Sequence, residues 1–282
     1  MYITRYIPRN IKIYLTKCLH FIWTKSLEKA AKEQGLDKLR TDLENIVPDI
    51  SEQYSLFKLD TTYLLMKVRN MHAFQISLVN KIIEQFDMPV IVDIGDSSGT
   101  HLQYLIGLYS EYRKIRCLSV NMDAKAVARI KNKGLEAVHA RAEDLPAYDI
   151  DANIFLCFET LEHLINPLHF LFTLSSKTNA KYMIITIPYL RNSRVGLHHI
   201  RAGRKENVYA ENTHIFELNP EDWKLLARHS GWEIIEDKIY LQYPKRSFLR
   251  MTKPLWKRYD FEGFYGLILR RDDTWSCKYL DW

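Results

Sequence analysis

Cysteine is scarce and scattered in this chain. Four occur among 282 residues, Cys18, Cys117, Cys157 and Cys277, and no two form a CxxC pair. This spacing offers neither a disulfide framework nor a thiolate zinc site, so all four read as reduced thiols and the expectation is a cytoplasmic protein. No run of about 18 uncharged apolar residues occurs, so no membrane-spanning helix is expected. The opening residues lack the charged, apolar and small-residue order of a secretory leader. Internal repeats and low-complexity stretches are likewise missing. What remains is 47% hydrophobic and 26% charged. That is ordinary for a soluble globular protein of one large domain with appendages, and a core of that size needs no disulfide or metal.

Charge is unevenly placed. Residues 1–40 carry nine bases and three acids, which accounts for the whole net charge of +6, and the rest is balanced at 31 bases and 31 acids. A basic end suits an anionic surface or substrate, or it is a solvated helical face.

Hydrophobic period organises the chain. Ile3, Ile7, Ile11, Leu15, Leu19 and Ile22 predict a helix over 3–35 that stops at Gly35. A second helix is expected from 49–51 through Val68, and a third over 73–86. From Pro89 onward, apolar β-branched runs alternate with helical segments. Strands are expected at 90–94, 115–120, 137–140, 152–158, 182–187, from Trp232, and at 264–269. Helices are expected at 102–109, 124–133, 167–174 and 220–229. Continuous buried strands alternating with helices define an α/β fold. We expect a Rossmann-like, seven-stranded, mainly parallel sheet covered by helices on both faces. Residues 1–72 form an N-terminal helical extension or cap, residues 73–282 the main domain, and 190–216 a substrate loop.

The segment Val90-Ile-Val-Asp-Ile-Gly-Asp-Ser-Ser-Gly99 runs a buried strand into Asp93, Gly95 and Gly99 and then into a helix. Gly95 permits a tight turn, Gly99 lets the helix pack close, and such a loop aims backbone N–H groups at an anionic group, phosphate or carboxylate. Asp93 to Gly99 resembles the DxGxGxG loop of class I S-adenosylmethionine-dependent methyltransferases, with Ser97 in place of the middle glycine. Leu118-Ser-Val-Asn-Met-Asp123 is similar to the family's second strand and its ribose-binding end, so the resemblance assigns the ribose to Asn121 or Asp123. Arg141-Ala-Glu-Asp-Leu-Pro146 resembles the segment that cups adenine, which implicates Ala142, Glu143 and Asp144. Phe158, Glu159-Thr-Leu-Glu-His163 and His214-Ile-Phe-Glu, followed by Trp223 and Gly231-Trp232, continue the family's order over about residues 75–270. The cofactor implied is S-adenosyl-L-methionine, held by Asp93, Gly95, Ser97, Gly99, Asn121, Asp123, Ala142, Glu143, Asp144 and Phe158.

Glu159, Glu162 and His163 follow the fourth strand. If a helical turn starts there, positions i, i+3 and i+4 share one face. Three uses compete. His163 suits a general base for an acceptor hydroxyl. ExxEH also resembles metal-dependent 2′-O-methyltransferases of small RNAs, in which Glu159, Glu162, His163 and the later His214 would hold a divalent cation such as Mg. The third use is structural, with Glu162 capping and His163 packing. Between Pro188 and Glu217, Arg191, Arg194, His198, His199, Arg201, Arg204, Lys205 and His214 form a long basic loop, either a substrate loop for an anionic acceptor or a solvated one. The acceptor residues expected are His214, Arg191, Arg194 and His198. A second basic run, Lys245 to Arg258, precedes the aromatic segment Tyr259 to Tyr265.

These readings converge on O-methylation of a sugar, glycan or other small anionic acceptor, with His163, Glu162 and Glu159 as the catalytic group. Two alternatives stay open: a metal-dependent RNA 2′-O-methyltransferase, and a binding module without catalysis on the same fold, prompted by Ser97, Asn121 and Arg141. Peripheral contact of residues 1–40 with an anionic membrane is a further expectation.

Overall fold

The computed structural model describes residues 9–55, 57–148, 150–196 and 213–272, together with 274 and 278. His198 and the basic residues between Val195 and Thr213 lie outside that set.

Seven strands form the sheet: β1 (Val90–Ile94), β2 (Arg116–Asn121), β3 (Glu136–His139), β4 (Ile154–Phe158), β5 (Tyr182–Pro188), β8 (Trp232–Leu241) and β9 (Gly263–Arg271). Their order is β3-β2-β1-β4-β5-β9-β8. Strands β1 to β5 pair in parallel, and β9 runs antiparallel between β5 and β8. The chain builds β1, β2 and β3 outward in one direction and then returns to place β4 on the other side of β1. The carboxyl ends of β1 and β4 stand side by side at that reversal, the position where such sheets bind ligands. Two short strands, β6 (Arg194–Val195) and β7 (Phe216–Glu217), form a separate antiparallel ribbon.

Alternation along each strand divides the core. Ile91, Ile154, Leu156 and Ile184 face one layer. Val92, Ile94, Phe155, Cys157, Met183 and Ile185 face the other. The period of two is that of a strand buried on both sides. The first layer takes α2 (Asp37–Ile46), α3 (Thr62–Val79) and α4 (Thr100–Tyr109), and the second takes α6 (Pro167–Lys177) and α7 (Pro220–His229). Helix α5 (Ala124–Asn132) packs on β3 through Val127 and Ile130. Helix α1 (Arg9–Glu33) lies against α3, and α8 (Lys253–Tyr259) follows a 3-10 turn at Phe248–Thr252.

The N-terminal third differs from the expected helices. One helix, α3, replaces the two expected over 49–68 and 73–86, and the described residues of 49–61 are not helical. Thr61 caps it, its hydroxyl accepting from the Leu64 N–H at 3.2 Å. The apolar period broke because Arg69, Asn70, His72 and Gln75 are buried on α3. Helix α2 went unseen, and α3 runs without a break through residue 72.

Candidate active site

The glycine loop is held by its own side chains. Gly95 (φ +94°) and Gly99 (φ +75°) adopt the left-handed backbone that the turn requires. Asp96 Oδ1 accepts the N–H groups of Ser98 (3.2 Å) and Gly99 (2.9 Å). The loop N–H groups expected to receive an anionic ligand are thus turned on Asp96. Two carboxylate oxygens, Asp93 Oδ1 and Asp96 Oδ2, are buried and receive no hydrogen bond from an N–H or hydroxyl, and the Asp96 carboxyl beside Asp93 helps to raise it. A phosphate placed here would meet carboxylates, whereas a cationic ammonium or sulfonium group fits. Ser97 is half-buried in the same loop.

Behind the loop runs a buried polar chain that sequence reasoning missed. His101 Nδ1 donates to Asp93 Oδ2 at 2.8 Å, and its Nε2 donates to Gln75 Oε1 at 3.1 Å. Gln75 Nε2 donates to Thr186 Oγ1 at 3.0 Å. Burial lowers the His101 imidazole, but Asp93 outweighs burial and holds it above its ordinary value. Burial pushes Asp93 up to about 6 against the pull of His101. His72 packs edge-on against His101 with ring centroids 4.9 Å apart, and burial holds it well below its ordinary value. The one sequence signal was a histidine on the first turn after the glycine loop.

The residues assigned to ribose and adenine line the ends of β2 and β3. Asn121 Nδ2 donates to the Asp96 carbonyl (3.0 Å), and Asn121 Oδ1 accepts from the Asp123 N–H (2.8 Å). Asp123 caps α5 and accepts a hydrogen bond from Ser55. Ala142, Glu143 and Asp144 open a 3-10 turn, with Arg141 3.6 Å from Glu143. Residues 50–55 also reach this region unforeseen. The buried Gln53 Oε1 accepts from Ser98 Oγ (2.8 Å) and Thr100 Oγ1 (2.6 Å), and Arg129 donates to the Glu52 carbonyl. Phe158 is buried edge-on to His101.

Beyond β4 the expected helical face does not form. Glu159 has φ +48°, the sole non-glycine residue with positive φ among the described residues, and a 3-10 turn covers only Leu161–His163. Backbone strain of that kind costs about 1–3 kcal/mol and clusters at functional sites. The turn brings Glu162, His163 and His214 together, with a ligand atom from each lying within 4.8 Å of the others. Glu159 stands outside that group and points toward Thr186. Glu162 is buried, and neither carboxylate oxygen has a hydrogen-bond partner. His163 Nδ1 donates to the Thr213 carbonyl at 2.8 Å, and its Nε2 lies 3.9 Å from Glu162 Oε1. His214 Nδ1 donates to Glu217 Oε1 at 3.0 Å, and its ring stacks on Phe261. Thr213, Glu217 and Phe261 were not foreseen.

Both described arginines of the basic loop face acids. Arg194 pairs with the buried Glu217, and Arg191 lies 3.3 Å from the buried Glu262.

Burial raises Glu159 to about 8 and Glu162 well above the carboxylate range, with Glu159 adding to the effect on Glu162. The folded chain therefore keeps protons that the unfolded chain has released above 4.5. Stability falls as pH rises through that interval. His72 acts in the opposite sense, but only below 6.5. Between 6.5 and 8 we expect a loss approaching 1.4 kcal/mol per pH unit for each raised carboxyl, about that much being the ideal slope. Glu159→Gln removes its share. Urea midpoints across this interval check it, and a profile that rises in the wild type would mean both acids are already ionised.

No protein-family model matches the chain, and no curated protein is detectably similar to it in sequence. Solved structures do match. With this sheet order the chain has the fold of class I S-adenosylmethionine-dependent methyltransferases. The cyclase SpnF superposes with a TM-score of 0.53 at 12% identity, over 86% of this chain and 97% of its own. A Galdieria sulphuraria protein assigned as a sarcosine dimethylglycine methyltransferase gives 0.52 at 10% identity, covering 75% and 87%. A chain of the Haloferax volcanii complex between the Trm112 methyltransferase activator and its assigned methyltransferase gives 0.51 at 12%, covering 86% and 94%. One of these is named a cyclase, so the shared fold leaves the chemistry to the site.

Proposed function

We propose that this protein is an S-adenosylmethionine-dependent methyltransferase acting on a hydroxyl of a sugar, glycan or other small acceptor. The observation that carries the reading is the placing of two buried polar clusters after the neighbouring strands β1 and β4. The glycine loop offers unpartnered carboxylate oxygens of Asp93 and Asp96 to a cationic group, and the Glu162–His163–His214 cluster stands at the end of the neighbouring strand. The cofactor supplies an activated methyl group when bound. Asp93 and Asp96 would complement its positive charge, Gly95 and Gly99 give the loop its left-handed turns, and Asn121 or Asp123 and Ala142–Asp144 would receive the nucleoside. Alignment of the acceptor with that methyl is the main demand of an in-line transfer. His163, anchored through Nδ1, takes the hydroxyl proton at Nε2. Arg191 and Arg194, the described arginines of the loop, already face acids.

A second reading adds a divalent cation. Two orphaned oxygens of the buried Glu162, grouped with two histidines each anchored through Nδ1, fit such an ion. Glu162, His163 and His214 would hold it, and it would supply Lewis acidity to the acceptor hydroxyl.

Calorimetry with S-adenosylmethionine and its demethylated product tests the proposal. At about a hundredfold excess over Kd, binding stabilises the fold by about 2.7 kcal/mol, a thermal shift of several degrees. Absence of heat and of shift with both compounds at about 1 mM, where even a very weak ligand registers, overturns it.

A further inference from the structure

We propose that the face formed by α1 and residues 245–258 docks on an anionic lipid surface. Residues 245–258 contain six bases and no acid. They fold onto α1, which belongs to the segment carrying the whole charge surplus. The Glu33 carboxylate accepts the N–H groups of Lys245 (2.8 Å) and Arg246 (3.2 Å). Ser26 and Thr252 hydroxyls lie 3.1 Å apart, and Trp23 packs on Trp256 with ring centroids 5.6 Å apart. Two basic segments more than 200 residues apart in sequence thereby make one surface.

Acids neutralise only part of it. Lys25 pairs with Glu28, and Lys253 and Lys257 lie near Glu262. Lys29 and Lys32 on α1, and Lys245, Arg246 and Arg250, have no acidic partner among the described residues. Within this basic field stand two large apolar side chains, Phe248 at 81% exposure and Met251 at 83%. They sit three residues apart in a 3-10 turn, so they project from the same side. An exposed apolar pair ringed by charge marks an interaction site. Methionine has no flat face on which a nucleobase can stack, whereas a Phe–Met wedge set among bases suits insertion between anionic headgroups. The face also adjoins the candidate site, since Glu262 holds Arg191 and its neighbour Phe261 stacks on His214.

The test is sedimentation of the full chain with phosphatidylcholine vesicles, with and without about a quarter phosphatidylglycerol. We expect binding to the anionic vesicles, at least about tenfold weaker binding to neutral ones, and release by salt. Each base lost near an anionic surface costs about fivefold in partitioning, so Arg246→Glu with Arg250→Glu lowers it well beyond about 25-fold. Phe248→Ser with Met251→Ser weakens binding severalfold while circular dichroism and calorimetric cofactor binding stay unchanged. Equal binding to both vesicle types, no binding, or full retention in both variants overturns the proposal. So does tighter binding to short single-stranded RNA than to anionic vesicles, lost in the same variants, which would make this a nucleic-acid face.

Discussion

Glu162→Leu is expected to yield a protein that is more stable and inactive. The Glu162 carboxyl is buried with neither oxygen hydrogen-bonded, and burial keeps it protonated. An unsatisfied buried polar group costs about 1–3 kcal/mol, and an apolar side chain of similar volume removes that cost. For a chain of 282 residues that is an increase in Tm of roughly 2–4 °C per kcal/mol. Methyl transfer should fall by at least about 100-fold, because the Glu162 carboxyl stands 3.9 Å from the His163 nitrogen that takes the proton. Natural sequences keep such a cost where function needs the group. Thermal unfolding followed with and without Mg or Mn separates the two readings of the cluster. A metal-induced rise in Tm in the wild type that Glu162→Leu abolishes supports the cation site, and no metal response in either leaves His163 as the proton acceptor. A Leu variant less stable than the wild type would show that Glu162 has partners holding it and would remove it from the chemistry.

The sheet was legible because its strands are buried on both faces. Continuous apolar runs set β1, β2, β4 and β5 within two residues of their observed ends. Helix α7 covers Pro220–His229 as expected, and the Asn219 side chain caps the Glu221 and Asp222 N–H groups. The helices before β1 obeyed another logic. Arg69, Asn70, His72 and Gln75 point inward from α3 toward carbonyls, Tyr104 and His101. A reading that equates burial with apolarity splits such a helix.

The site divides along the same line. Backbone-dictated features were readable: Gly95, read as a tight turn off the strand, has φ +94°, and Gly99, read as allowing close packing, has φ +75°. The meeting of Glu162, His163 and His214 was also readable, although through a 3-10 turn rather than one helical face. Residues recruited over long sequence distances were not. Gln53, Gln75, Thr186 and Glu217 carry no local pattern, because each is defined by the side chain it meets across the fold. The acids that answer two bases of the loop were not readable either, since Glu217 and Glu262 lie 23 and 71 residues from Arg194 and Arg191.

Gly95→Ala is the second large effect. An added Cβ would stand 2.2 Å from Thr160 Oγ1 and 3.0 Å from its Cγ2, at a φ of +94°. Thr160 cannot swing aside freely, because its hydroxyl bonds the carbonyls of Ile94 (3.2 Å) and Phe158 (3.0 Å), and β-branching restricts its rotamers. Left-handed strain of about 1–3 kcal/mol adds to overpacking of about 1–3 kcal/mol. The displaced residue leads into the turn that carries Glu162 and His163, so cofactor affinity should fall at least about tenfold. Thr160→Ala separates the two costs. In that background the contacts with Oγ1 and Cγ2 disappear, the 3.2 Å contact with the Thr160 Cβ and the φ strain stay, and a double-mutant cycle should give a coupling of about 1–3 kcal/mol. Additive effects would place the whole penalty on the backbone, and a Gly95→Ala protein as stable as wild type that binds S-adenosylmethionine normally would disprove the tight turn on which the cofactor site depends.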